Sequence, residues 1–243
     1  MQVLSAGAAV TGTSHVDNGQ PCQDAFEIVT SFYGVVACVC DGAGSATRSD
    51  EGARALAQGV CRTLAADLER SLTEANAFER IAGAIQSVRE QLANRGPLED
   101  FHSTLCGVVM TRRGNLVFHL GDGLIFGLNP DDWDDCLVSE PENGEFAETT
   151  YFFTLPGWRQ HLRVQCVPPR FRTWFLMTDG TASFAARNQP YRPERGFLQP
   201  VHNYLSSVPQ FTGRQALEGT LADPRTHRIT ADDKTLVWLH HGS

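Results

Sequence analysis

Aspartates recur in this chain where apolar strands are expected to begin or end. Asp41 closes one apolar run in C-D-G-A-G, Asp179 closes another in M-T-D-G, and Asp122 lies between two in L-G-D-G. Asp24 stands just ahead of a run in Q-D-A, and Asp232 and Asp233 open the last one in A-D-D-K-T. A lone Asp-Gly pair is ordinarily a turn. Acids at five strand ends are another matter, because strands sharing a sheet or sandwich would bring those carboxylates to one edge. Crowded, unpaired carboxylates repel one another and resist ionisation. Divalent cations remove that penalty, and all-oxygen ligation suits magnesium or manganese rather than zinc. A glycine after the aspartate lets the backbone approach closely, so that its carbonyl can serve as a further ligand. Hard metals bridged by carboxylate activate water and neutralise phosphate oxygens, which is phosphoryl chemistry.

The elements that must position these residues show in the hydrophobic pattern. Residues 2–10 and 25–40 read as strands, and so do T-L-C-G-V-V-M-T, L-V-F-H-L-G, G-L-I-F-G-L-N, T-Y-F-F-T, L-R-V-Q-C-V, T-W-F-L-M-T and T-L-V-W-L. After the loop D-G-A-G-S-A-T-R-S the period becomes helical. Ala53, Leu56, Ala57, Val60, Leu64 and Leu68 mark one helix; Phe78, Ile81, Ile85, Val88 and Leu92 mark a second. Ser71 and Glu74 form a capping-box signature between them, and Gly96-Pro97 closes the pair. Region 181–230 is Pro- and Arg-rich and weakly patterned, with one helix expected at 213–222, capped by Thr212 and Gln215. Arg112-Arg113 falls in a hairpin turn, and His119, between Phe118 and Leu120, reads as structural. The acid-rich segment 131–145, with seven carboxylates and no base, reads as a solvated hairpin or flap within about 128–150. Strands, a helix pair, then strands again predict an α+β fold in one domain spanning 1–243.

Composition narrows the function. With 243 residues, 42% of them hydrophobic, the chain can bury a core and is neither disordered nor fibrous. Its formal charge of −8 makes it a poor binder of nucleic acid or of an anionic membrane surface, both of which call for clustered cations. No apolar stretch approaches the roughly eighteen residues of a membrane span, and the N-terminus lacks the basic region of a signal peptide. The seven cysteines follow no regular framework. Cys38 and Cys40 fall on one face of a strand and read as core rather than as a zinc pair. A reduced, cytoplasmic monomer is expected.

The ordered series S-H-V-D-N-G-Q-P-C-Q-D-A, C-D-G-A-G-S, S-T-L, G-D-G, M-T-D-G and A-D-D-K-T resembles the metal-dependent protein phosphatases of the protein phosphatase 2C type, and within them the compact bacterial branch. The motifs span residues 14 to 237, and N-G-E-F-A-E-T-T at 143–150 resembles that branch as well. The resemblance implies a four-layer α-β-β-α sandwich of two mainly antiparallel sheets flanked by helix pairs. It implies a serine/threonine protein phosphatase of bacterial signalling that hydrolyses phosphomonoesters with a metal-bridging water or hydroxide. Two central Mn²⁺ or Mg²⁺ ions and a possible third are implied as cofactors, and a phosphorylated protein and a cognate Ser/Thr kinase as partners.

By the same resemblance, Asp41 matches the aspartate bridging both metals, Gly42 the carbonyl ligand, and Asp179 and Asp232 the remaining central ligands. Asp24 matches the acid that contacts metal-bound water, and Asp122 the ligand of a third metal. Asp233 takes the family's asparagine position. Three departures stand out. Gly19 replaces the phosphate-binding arginine, Ser45 the last glycine of D-G-x-G-G, and Ala43 the histidine proposed as general acid in animal members. His15 and Arg48 are the candidates left for substrate phosphate. Those gaps keep open a second reading, a phosphatase-fold module that binds a phosphoprotein or kinase with weak turnover. The retained aspartates argue for catalysis.

Other readings fit less well. D-G-A-G-S-A-T begins like a dinucleotide fingerprint, but Thr47 stands where the third glycine belongs and no βαβ alternation follows. D-D-W-D-D-C places Cys136 where a calcium loop needs glycine. No G-x-S-x-G accompanies the histidines. The seven arginines of 159–195 read as solvated surface, with reception of a phosphorylated partner as the minor alternative.

Overall fold

The apolar runs become two five-stranded antiparallel sheets in the computed structural model, which describes residues 2–66, 68, 74–142 and 150–242. The first sheet has the spatial order β1 (Val3–Val10), β12 (Lys234–His241), β9 (Thr173–Met177), β6 (Leu124–Asn129) and β7 (Asp132–Ser139). The second has the order β2 (Ala25–Thr30), β3 (Gly34–Cys40), β4 (Leu105–Thr111), β5 (Gly114–Leu120) and β8 (Arg163–Val167). A short hairpin of β10 (Ala186–Arg187) and β11 (Arg192–Pro193) stands apart. Alternation gives each strand two working faces. Val35, Ala37 and Val39 of β3 meet Trp174, Leu176, Val237 and Leu239 of the first sheet in the core between the sheets. Val36, Cys38 and Cys40 point the other way, beneath α2 (Ser49–Ala66) and α3 (Glu74–Ala93), whose Leu56, Val60, Ile81 and Ile85 are fully buried. β3 is buried on both faces and is therefore apolar throughout.

The outer face of the first sheet, with Ala6, Phe126, Phe175 and Trp238, is covered by α6 (Arg195–Ser207) and α7 (Gln210–Leu221) through Leu198, Leu205, Leu217 and Leu221. The described residues also hold three shorter α-helices, α1 (Thr13–Asp17), α4 (Trp158–His161) and α5 (Asp179–Ala185). The four layers follow the expected α-β-β-α order. None of the seven cysteines forms a disulfide, and Cys38 and Cys40 pack in the helix-side core as expected. Among the described residues no helix is long and apolar enough to cross a membrane.

Several expectations change. α7 begins at Gln210 behind Pro209, with no side-chain cap, rather than at 213 under Thr212 and Gln215. α5 and α6 were not expected at all. T-Y-F-F-T is not a strand: Phe153 dives into the helix-side core while Tyr151 stacks on His161 at 3.4 Å between centroids. The acid-rich segment does form a hairpin, β7 on β6, but as an edge strand of the sheet rather than a separate flap, and Asp131, Asp134 and Asp135 are paired with Arg172, Arg195 and Arg170. Ser71 of the capping box and residues 143–149 lie outside the described residues.

Candidate metal centre

Antiparallel register decides where the aspartates go. Ala25 pairs with Cys40, Leu105 with Leu120, Val10 with Lys234 and Leu124 with Met177, so the ends of strands from both sheets lie at one end of the sandwich. There Asp41, Asp122, Asp179 and Asp232 line a single pocket of about 300 Å³, together with His15, Gln23, Gly42, Thr104, Thr150 and Phe152. A larger groove, about 630 Å³, lies at the opposite strand ends, lined by Phe32, Arg112, Arg113 and Pro168 among others and, among the described residues, by no carboxylate. The chemistry belongs with the smaller, acidic pocket.

Each aspartate has its own support. The Asp41 amide donates to Thr104 Oγ1 (3.1 Å) and its carbonyl accepts from the Thr104 amide (2.9 Å). Asp122 Oδ2 accepts from Thr150 Oγ1 at 2.7 Å, while Asp122 Oδ1 is buried with no hydrogen-bond partner. Asp24, 8% exposed, sits behind the pocket wall and accepts from Thr178 Oγ1 at 2.8 Å. Asp233 is buried and does structural work: Oδ1 accepts from the Gly12 amide and Oδ2 from the Gln23 amide, both at 2.6 Å. That carboxylate ties the entries to α1 and β2 to the start of β12. Next to it Lys234, the only lysine, is fully buried and donates from Nζ to the Asp232 carbonyl at 3.2 Å.

The two phosphate candidates part company. His15 lines the pocket, with Nδ1 2.9 Å from Asp233 Oδ1. Its N–H is not in line with that oxygen, so the contact is an ion-pair distance rather than a formed hydrogen bond. Arg48 does not line the pocket. Its guanidinium is held by Glu51 (2.9 and 3.0 Å) and the Arg95 carbonyl (3.0 Å), and it lies over the Phe101 ring. Arg48 is therefore removed from the substrate-phosphate set. Gln23, Thr104, Thr150 and Phe152 join the pocket without having been assigned from sequence. His119 is buried against Ser139 and Arg163, in keeping with a structural role.

Electrostatics mark the pocket as unusual. Burial first, then repulsion from Asp24, Asp179, Asp122 and Asp232, pushes the Asp41 carboxyl well above the ordinary carboxylate range. Burial likewise raises Asp24, outweighing its Thr178 and Thr235 hydrogen bonds. Asp179 is raised by desolvation and then by Asp232 and Asp122, although its side chain stays open to water, which screens part of the effect.

The donor set fits a hard divalent cation. Apart from the His15 ring it offers oxygen, one carboxylate oxygen, Asp122 Oδ1, is buried without a partner, and the acids strain against one another. A Cβ at Gly42 would press to 2.7 Å on the Gln23 carbonyl, and one at Gly180 would collide with the Asp233 carbonyl, so both Asp-Gly pairs depend on close backbone approach. Among the described residues no three His, Cys, Asp or Glu side chains gather tightly enough to hold an ion alone. Backbone carbonyl and water would have to complete the coordination, as magnesium in particular prefers.

A double β-sandwich between helix pairs, with acids gathered at its strand ends, is the build of a phosphoprotein phosphatase. The chain belongs to the protein phosphatase 2C family, whose sequence model matches residues 11–222. It is 27% identical over 247 residues to serine/threonine-protein phosphatase 3 of Escherichia coli (strain K12), covering 95% of each. Its fold is similar to serine/threonine phosphatase Stp1 from Staphylococcus aureus (TM-score 0.68, 12% identity, 100% of this chain and 96% of that one). It is similar also to the catalytic domain of serine threonine protein phosphatase PstP, solved with 2 manganese ions (TM-score 0.64, 13% identity, 98% and 97%).

Proposed function

We propose that this protein is a Mn²⁺- or Mg²⁺-dependent serine/threonine phosphatase that hydrolyses phosphomonoesters on proteins. The observation carrying this reading is that four aspartates from separate strand ends line one pocket, with Asp122 Oδ1 buried and partnerless among them. Asp41, Asp179, Asp232 and the Gly42 carbonyl are the groups we assign to two central ions. Asp122 is assigned to a third ion, and Asp24 to ordering water behind them. The ions, when bound, supply charge neutralisation and an activated water. The chain's own residues hold those oxygens in place: Thr104 fixes the Asp41 backbone, Thr150 one oxygen of Asp122, and Thr178 the Asp24 carboxylate. His15 is the side chain we assign to substrate phosphate, since Arg48 is committed elsewhere. A phosphorylated protein as substrate, a Ser/Thr kinase as its counterpart, action as a monomer and residence in the cytoplasm complete the reading.

Hydrolysis of p-nitrophenyl phosphate and of a phosphothreonine peptide tests it, with and without Mn²⁺, for wild type and Asp41→Asn. Turnover should require metal and fall at least about a hundredfold in the variant, the scale of losing one preorganised charge at the reacting centre. Activity that persists in chelator or in Asp41→Asn overturns the metal mechanism. Metal binding without turnover of either ester would favour the binding module.

A further inference from the structure

Two tasks of ester hydrolysis lack a side chain at the positions where the family motif would put them. Gly19 offers nothing to phosphate, and Ala43 has no proton to give to the leaving oxygen. An alkoxide leaving without a proton is a high-energy species, and a positioned acid is worth about 10²–10⁴-fold in rate. Among the described residues lining the pocket, His15 is the one ionisable side chain that is not a carboxylate.

Its mounting suits the task. The helix that carries it is fixed at its start: the Ser14 amide and hydroxyl both donate to the Ala231 carbonyl (3.0 and 2.7 Å), and the Gly12 amide donates to Asp233. Nδ1 is buried 2.9 Å from Asp233 Oδ1, and the side chain as a whole is 14% exposed. With that nitrogen against the carboxylate, the ring's other edge, which carries Nε2, is left for the pocket. Asp233 is itself held by two backbone N–H groups and cannot swing away to follow another partner. A carboxylate lying against one imidazole nitrogen favours a proton there and leaves the other nitrogen for the reacting group, a recurrent device of acid–base catalysis; here the pair stands at contact distance without an aligned hydrogen bond.

We propose that His15 is the proton donor to the leaving oxygen, with Asp233 as the positioning residue that fixes its ring. The inference rests on the phosphatase reading above and adds a role within it. A hydroxide, formed when water gives a proton to solvent, attacks phosphorus as the bond from phosphorus to the seryl or threonyl oxygen breaks. The Nε2 proton passes to that oxygen, leaving the alcohol, hydrogen phosphate and neutral imidazole. Solvent returns the proton to His15, so the sum is ester plus water to alcohol plus phosphate.

Leaving-group dependence tests this directly. p-Nitrophenolate leaves readily without a proton, whereas a seryl alkoxide does not. In His15→Gln the lost phosphate contact should weaken both esters alike, but kcat on a phosphoserine peptide should fall about 10²–10⁴-fold further than kcat on p-nitrophenyl phosphate. Equal losses on both esters, or no loss on the peptide, overturn the proton-donor role. Retained circular dichroism and Mn²⁺ binding by calorimetry exclude misfolding, and wild-type p-nitrophenyl phosphate turnover that ignores chelator identifies failure of the underlying reading instead. A readout independent of turnover is the ring-nitrogen NMR of His15. The neutral ring should carry its proton on Nδ1, and should lose that preference in Asp233→Asn. A neutral ring protonated on Nε2 overturns the proposal.

Discussion

Asp233 shows how one atom-level choice shapes the pocket. A carboxylate only accepts, and here both oxygens accept from backbone N–H groups, at Gly12 and Gln23. Asparagine, the residue that the family pattern suggests for this position, would turn an N–H₂ toward one of those donors. Asp233→Asn should therefore cost about 1–3 kcal/mol, the usual consequence of stranding a buried donor. A shift of the urea midpoint at unchanged m-value measures it, and an unchanged midpoint refutes it. At this scale the acids were legible, because Asp-Gly at the end of an apolar run combines a charge with a turn and repeats along the chain. Gln23, Thr104 and Thr150 were not, since neutral polar residues have no spacing signature and are recruited only by the folded register. Arg48 was misplaced despite a local clue: Glu51, three residues on along the start of α2, is where a helix would supply a partner.

At the scale of elements, the helix pair on the second sheet was plain in the sequence, because its apolar stripe is regular and unbroken. α6 escaped because Pro200 stands inside it and Gly196 at its start, both of which normally argue against a helix. Its N-terminus is nevertheless capped, by Glu194 accepting from the Gly196 amide. The hairpin expected at the acid-rich segment is there, as β7 folding back on β6; its charges sit on a sheet edge, which tolerates and even favours them. The helix pair packs on the face of β3 that lies away from the inter-sheet core, so its packing and the pocket's chemistry should separate. Leu56→Ala, at a fully buried position of α2, should lower stability by about 2–5 kcal/mol. Activity per folded molecule should stay within about twofold, because additivity holds for distant sites. A thermal melt paired with initial rates on p-nitrophenyl phosphate checks both halves, and a large loss of kcat at full folding would show that the helix pair tunes the pocket.

For the whole molecule, the raised acids set the pH response. Asp24, Asp41 and Asp179 bind protons more tightly folded than unfolded. Their contribution therefore favours the folded state below the ordinary carboxylate range and is lost as pH rises through it toward their raised values. Glu194 and Asp223 act in the opposite window: Arg187 and Arg225 lower them to about 2, so their contribution is present above the ordinary carboxylate range and lost as pH falls through it toward about 2. The metal-free protein should thus become less stable from mildly acidic to neutral pH, and Mn²⁺ should reverse that loss. At a metal concentration about a hundred times Kd the gain is about 2.7 kcal/mol. For a chain of this size that corresponds to a Tm rise of about 5–10 °C. Asp41→Asn should raise the metal-free Tm at neutral pH and abolish the Mn²⁺ shift; a variant that still responds fully to Mn²⁺ removes Asp41 from the centre.

The burial of Lys234 gives the protein a chemical property of its own. A chain with a single lysine presents acylating reagents with a single ε-amine, and here that amine is sealed beneath the Asp232 carbonyl. Its modification depends on the start of β12 coming away from β1. The side chain is thus a built-in clock for the opening of the corner that carries Asp232 and Asp233, readable by mass spectrometry without altering the sequence.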